Sequence, residues 1–355
     1  MFLAEILKNH FHSVAIIGMA KNTGKTYTFN HLAREAYQRG LRCALTSIGL
    51  DGEERDSILL NRKPPVRVSP GMVVATAQTL LASSGLDYEV LATTGVATPL
   101  GEVVAARVLS RGRILLAGPG SAQELAEVKR QLAPLGCDLL LVDGAVDRRS
   151  LSAPLVTDTA VLAVGAEAAW DRGQLLTRLK HLLSVLTLPG IEESGEAELL
   201  GNVPEDFKLV GLGADGEEYR ITRDEFFSGA GASLAKLPPL RMLYVRGMLT
   251  DAVLAKVLNS AARPASFTLA AADPTAVFLS QESLAGLAAR SVQLRVLRPL
   301  HLSAVTVSPF HSKYGYAEPV RLLEDVGRAV HPLPCYDLRL GLRYRTEKEE
   351  IDAVP

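Results

Sequence analysis

Apolar positions in this chain fall into short unbroken runs separated by segments with a helical rhythm. Val14-Ala15-Ile16-Ile17 is the first run, and Leu139-Leu140-Leu141-Val142, closed by Asp143, is the most uniform. A run without polar alternation is the pattern of a strand covered on both faces, as in a central parallel sheet. Thr159–Gly165 repeats it, and Arg42–Ile48 gives another strand. Between these runs, Tyr27–Arg39 has helical periodicity and stops at Gly40, a residue suited to a helix C-cap. Ala122–Leu135 places Leu125, Val128, Leu132 and Leu135 on one helical face, and Asp171–Leu186 reads as a further helix. Smaller elements fill the gaps. Lys63–Val68 is extended because its prolines disfavour helix. Met72–Ala75 reads as a short strand and Ala77–Ser83 as a helix. Tyr88–Thr93 reads as a strand that turns at Thr94-Gly95. Val103–Leu109 and Arg113–Leu116 read as adjacent strands, with a hairpin as one arrangement. Strands alternating with helices predict an α/β fold built on a doubly wound, mostly parallel sheet.

The pattern changes at Leu188–Pro204, where Glu192-Glu193-Ser194-Gly195-Glu196 is acidic and small and is flanked by Pro189, Gly190, Gly201 and Pro204. This predicts a first domain over residues 1–190, a linker over 191–204 and a smaller α/β domain over 205–355. In the second half, strands are expected at Met242–Arg246, Ser266–Ala271, Gln293–Arg298 and Ala304–Val307. Helices are expected at Thr250–Ala261, Glu282–Arg290 and Glu318–Val330. Thr250-Asp251, Asp273-Pro274-Thr275 and Ser308-Pro309 each suit a helix cap, and together they would line one edge of a parallel sheet. The charged tail from Thr346 is expected to fray.

Composition narrows the class. The 355 residues are 48% hydrophobic and 5% aromatic, with a net charge of −1, which fits an aliphatic α/β core. The charge gives no general case for nucleic acid or an anionic membrane. No apolar run is long enough to span a bilayer, and the amphipathic start, Met1–Phe11, is not read as a signal peptide. Cys43, Cys137 and Cys335 are odd in number and far apart in sequence, as expected of core residues in a reducing cytoplasm. No Cys/His cluster has zinc spacing.

The candidate chemistry lies between the first strand and the first long helix. Gly18-Met19-Ala20-Lys21-Asn22-Thr23-Gly24-Lys25-Thr26 has the layout of a phosphate-binding loop, one residue longer than the Gly-x-x-x-x-Gly-Lys-Ser/Thr pattern. A helix start offers unpaired N–H groups and a positive dipole end to a polyphosphate. Gly18, Lys21, Asn22, Thr23, Gly24, Lys25, Thr26 and Tyr27 are the expected nucleotide contacts. Lys25 would sit on the β- and γ-phosphates and Thr26 would ligate Mg²⁺. Asp143, at the end of an apolar strand, is the candidate second acid for Mg²⁺, or else a turn cap beside Gly144. Asp51 and Asp56 follow the second strand where a switch loop would orient water or bind Mg²⁺, or are simply solvated charges. Asp51 is taken with Lys25 as the catalytic pair. Thr93, Thr94 and Gly95 are candidates to reach the γ-phosphate, or a plain turn. His311-Ser312-Lys313-Tyr314-Gly315-Tyr316 reads as an exposed contact loop, and Trp170 as packing.

The longer loop resembles that of dethiobiotin synthetase, in the class that includes the Min-type ATPases. The extra lysine is placed differently from theirs, so their dimer-spanning role is not transferred and a homodimer stays open. Four phrases jointly resemble the small ATPase subunit of the lysine 5,6-aminomutase reactivase. They are the loop; Thr46-Ser47-Ile48-Gly49 with Asp51-Gly52-Glu53; Thr93-Thr94-Gly95 with Thr98-Pro99-Leu100-Gly101-Glu102; and Val142-Asp143-Gly144-Ala145 with Arg148-Arg149-Ser150. The resemblance covers most of the first domain and weakens beyond Pro189. It implies an ATP- and Mg²⁺-using subunit that acts with a larger MutS-like subunit to release damaged cofactor from an adenosylcobalamin-dependent aminomutase. No Asp-x-His-x-x-Gly cobalamin motif is present. An ATP-dependent ligase of the dethiobiotin synthetase type, with Lys63 or Arg67 facing substrate, and a nucleotide-gated adaptor without turnover are the other classes. The missing Asn-Lys-x-Asp motif argues against the commonest GTP-binding form.

Overall fold

The unbroken apolar runs pair with one another and build the centre of the molecule. The computed structural model describes residues 2–49, 65–144, 156–213, 216–228, 239–260, 267–345 and 350–353. Its largest sheet has 11 strands. In chain order these are β1 (Ser13–Gly18), β2 (Cys43–Ser47), β3 (Val73–Ala77), β4 (Tyr88–Thr98), β5 (Gly101–Val108), β6 (Leu139–Asp143), β7 (Thr159–Gly165), β8 (Leu302–Ser308), β9 (Cys335–Asp337), β10 (Leu342–Arg345) and β11 (Glu350–Ala353). Their spatial order is β11-β10-β9-β8-β7-β1-β6-β2-β3-β5-β4. The stretch from β9 to β3 is parallel throughout. The antiparallel strands lie at the two ends. Every residue of β1, β2, β6 and β7 is buried, which is why these strands read as continuous apolar runs.

Helices α1 (Phe2–Leu7), α2 (Lys25–Gln38), α3 (Ala122–Leu132), α4 (Arg172–Leu186) and α5 (Pro319–Val330) accompany the strands. α2 buries Phe29, Leu32, Ala33 and Ala36 in the core that also holds Ile16, Leu45 and Leu141. The carboxylate of Glu35 on α2 accepts the backbone N–H of Leu3, which ties the amphipathic start of the chain to this core. Among the described residues no helix is long and apolar enough to cross a membrane.

The chain divides into two compact units, 1–180 with 301–355, and 181–300. This differs from the division expected at residues 191–204. The run at Ala304–Val307 pairs with β7 and not with the strands of the second unit, and β9–β11 extend the same sheet. The second unit holds a five-stranded sheet in the order Glu218–Thr222, Phe207–Gly213, Leu240–Val245, Phe267–Ala271, Val292–Val296, the last three strands parallel. Its expected strands and its helices Asp251–Ser260 and Gln281–Ala289 lie where the periodicity put them. The caps of this unit do local work: Asp273 accepts from the N–H of Thr275 at 2.9 Å and pairs with Arg298, and Asp251 accepts from the N–H of Ser280.

Two local expectations are corrected. β4 does not end at Thr93 with a turn at Thr94-Gly95 but continues to Thr98 through an irregular register between Thr93 and Ala97. Gly95, at φ +72°, supplies a backbone shape there that other residues resist. Val103–Leu109 and Arg113–Leu116 do not pair: β5 lies between β3 and β4, while Gly112–Ile114 pairs with Val66–Val68.

Candidate phosphate-binding site

The carboxyl ends of β1, β6, β7 and β8 meet around the loop at residues 18–25. β1 stops at Gly18, where a Cβ would stand 2.8 Å from Cγ and Cδ of Lys25 and 2.9 Å from Oγ1 of Thr23. The aliphatic stem of Lys25 therefore lies back along the start of the loop, and only glycine admits it. Asn22 (φ +60°) and Gly24 (φ +94°) both adopt left-handed backbone. Turns of this kind gather N–H groups into an anion-binding concavity. The Thr23 hydroxyl donates to the Ala20 carbonyl at 3.0 Å, and the Met19 N–H to the Ala163 carbonyl at 3.0 Å, pinning the loop from inside and to β7.

The start of α2 differs from those of α3 and α5. α3 is closed by a reciprocal box between Ser121 and Glu124, and α5 by the carboxylate of Glu318. α2 begins after Gly24 with no side-chain cap and no acid in its first turn. A helix start of this kind, with the positive end of the dipole behind it, suits an anion. Of the expected contacts, Lys21, Asn22 and Tyr27 are exposed, Gly24, Lys25 and Thr26 half-buried, and Thr23 buried. The Tyr27 hydroxyl donates to the Leu338 carbonyl at 3.5 Å.

Asp143 closes β6 directly beside β1, level with Ile16, and is buried. Its carbonyl accepts the N–H of Ile48, and the next N–H, on Gly144, donates to the Ile16 carbonyl at 2.9 Å. A Cβ on Gly144 would stand 2.7 Å from that carbonyl oxygen. The glycine is thus required by strand contact, and the Asp143 carboxylate arrives at the same sheet edge as the loop. Asp51 and Asp56 lie outside the described residues, as does Lys63. Thr93, Thr94 and Gly95 are not brought to the site. They sit on the edge strand β4, five strand spacings from β1, or about 24 Å, and the Thr94 hydroxyl is spent on the Val103 carbonyl. Arg67 is exposed on the small pair formed with Gly112–Ile114.

Sequence reasoning missed the far wall of the loop. A Cβ on Gly165, at the end of β7, would meet Cα of Thr23 at 2.9 Å, and a Cβ on Gly24 would meet Cβ of Ser308 at 3.1 Å. The hydroxyls of Thr28 on α2 and Thr306 on β8 are 2.9 Å apart in the core. The available signal was that Gly165 and Ser308 each end an apolar run.

No protein-family model and no curated protein matches this chain. Among solved structures it is similar to the cobyrinic acid a,c-diamide synthase of Mycobacterium smegmatis, which was crystallised with bound ADP and magnesium. The similarity has 19% identity, covers 49% of this chain and 69% of that one, and has a TM-score of 0.25.

Proposed function

We propose that this chain binds and hydrolyses ATP with Mg²⁺, as the small subunit of a chaperone that reactivates an adenosylcobalamin-dependent amino-acid aminomutase of the lysine 5,6-aminomutase type. The observation that carries the nucleotide part is the uncapped start of α2, reached through left-handed Asn22 and Gly24, with Lys25 folded over Gly18. In this reading the first N–H groups of α2 hold phosphate oxygens, and the Lys25 ammonium neutralises charge that develops on the β- and γ-phosphates. The Thr26 hydroxyl and the Asp143 carboxylate are the oxygen donors available to Mg²⁺, a hard cation that takes such ligands and keeps several waters. When bound, Mg²⁺ supplies further neutralisation of the phosphate oxygens. Asp51 is assigned to the attacking water from its sequence position. Water adds to the γ-phosphorus, the bond to the β-phosphate oxygen breaks, and ADP and phosphate leave.

The chaperone part rests on the joint resemblance of the four phrases quoted above. A nucleotide drives such work only if its triphosphate and diphosphate states bind the partner differently. The test is ATP hydrolysis by the purified chain, alone and with the larger subunit plus cobalamin-inactivated aminomutase, beside Lys25→Ala. We expect stimulation by the partners and a loss of at least about tenfold in the variant, since Lys25 acts on transition-state charge. Nucleotide binding without stimulation would sink the chaperone part. Turnover driven by a small carboxylate or amine would then favour a ligase, and tight binding without turnover an adaptor.

A further inference from the structure

We infer that Trp170 and Tyr314 form a platform on which the base of the bound nucleotide stacks, and that it reads the flat face of the base rather than its edges. This rests on the nucleotide reading above and adds where the base goes and how selectively it is held.

Both segments that carry these rings leave the sheet beside the phosphate loop. β7 ends at Gly165, against Thr23, and a single 3₁₀ turn, Ala166–Ala168, leads to Trp170. With about 2 Å per residue in that turn and about 3.4 Å when extended, Trp170 starts no more than about 13 Å from Gly165, a distance comparable to an extended nucleotide. β8 ends at Ser308, against Gly24, and the hairpin of Phe310–His311 with Gly315–Tyr316 follows at once.

The rings lie against each other at a tilt, with the Lys313 ammonium 5.0 Å from the Tyr314 ring centre, yet both stay open to water. Trp170 and Tyr314 have centroids 5.1 Å apart at 36°, while Trp170 is 42% exposed and Tyr314 51%. The His311 ring supports both, 5.6 Å from Trp170 and 4.7 Å from Tyr314. Polar bonds hold the two segments together. Glu167, from the turn before Trp170, accepts the backbone N–H of Ser312 at 2.6 Å and its hydroxyl at 2.7 Å. Nδ1 of His311 accepts the N–H groups of Lys313 and Tyr314, which places the ring proton on Nε2. The cluster is therefore held in place before any ligand arrives. The polar groups of Glu167 and Ser312 are committed to each other, so they do not distinguish one base edge from another. Stacking on an aromatic face tolerates any base, since every base has a π-face.

Trp170 is the single tryptophan of the chain, so its fluorescence reports on this platform alone. The full chain is titrated with MgATP, MgGTP and magnesium tripolyphosphate, with equilibrium dialysis in parallel and circular dichroism to verify folding. We expect both nucleotides to quench Trp170 with affinities within about tenfold of each other, and tripolyphosphate to bind without quenching. Trp170→Ala should weaken ATP about 5- to 150-fold, leave tripolyphosphate affinity unchanged, and be largely rescued by Trp170→Phe. ATP binding that is lost in Lys25→Ala but is as tight as wild type in Trp170→Ala and Tyr314→Ala would overturn the platform and leave the phosphate site standing. A preference above about a hundredfold for one purine would overturn recognition by the face alone. Failure of both nucleotides to bind would overturn the nucleotide reading, and the platform with it.

Discussion

Asp337 ends β9 with its side chain fully buried. Its Oδ1 accepts the N–H groups of Arg339 and Leu340, both at 3.0 Å, while Oδ2 has no hydrogen-bond partner among the described residues. Burial pushes this carboxyl above the usual aspartate range, and the two N–H donors only partly oppose it. A raised folded-state value means that the folded chain holds the proton more tightly than the unfolded one. That contribution to stability is complete below the ordinary aspartate value, about 4, and is lost as pH rises through the raised value. Asp337→Asn keeps the Oδ1 acceptor and removes the charge. It should melt above wild type near pH 7.5, with the gap closing toward pH 4. Asp337→Ala removes the acceptor as well and should lose about 1 kcal/mol at both. A lower melting temperature for the asparagine variant at pH 7.5 would show that the ionised carboxylate is stabilising. Places set by local pattern were readable without coordinates: Gly18 ends β1 and Lys25 and Thr26 open α2, as strand, loop and helix in immediate succession predict. Gly165, Thr306 and Ser308 were not, because their meaning comes from contact with residues far away in sequence.

At the scale of elements, the join between α2 and β8 sets how firmly the loop is held. It includes the buried hydroxyl pair of Thr28 and Thr306, which links the helix that opens the candidate phosphate site to the strand beside it. Thr306→Val should strand the Thr28 hydroxyl and cost about 1–3 kcal/mol, whereas Thr28→Val with Thr306→Val removes both polar groups and should recover much of that loss. A double-mutant cycle read by thermal or urea unfolding measures the coupling, and strictly additive costs would remove the pair from the account. Element type was legible wherever a single cause dominates. β6 was plain because burial on both faces writes an unbroken apolar run. Glu218–Thr222 left no such trace: it is an edge strand with mostly half-buried or exposed residues. The end of β4 was misjudged because glycine usually breaks a strand, and here it serves an irregularity that the partner strand β5 carries across.

For the whole molecule, the decisive fact is that one sheet takes strands from both ends of the chain. β7 is buried along its full length and needs β8 on one side as it needs β1 on the other. A polypeptide of residues 1–190, self-contained by the sequence boundary, would leave that edge of β7 without its partner strand. It would also lose the Ser308 wall beside Gly24 and the buried partner of Thr28. An exposed apolar edge strand is a template for association. Residues 1–190 should therefore associate or melt without a cooperative transition, and bind MgATP far more weakly than the full chain. Adding residues 301–355 in trans, or joining them through a short linker in place of 181–300, should restore both properties. A fragment 1–190 that is monomeric, melts cooperatively and binds nucleotide like the full chain would show that β8 is an accessory to the first unit, and would return the boundary to the acidic segment after Pro189. The position of residues 301–355 could not be read from local pattern, since Ala304–Val307 has the same apolar signature whichever sheet it joins. The choice is made by β7, which offers a fully buried edge that only another apolar parallel strand can cover.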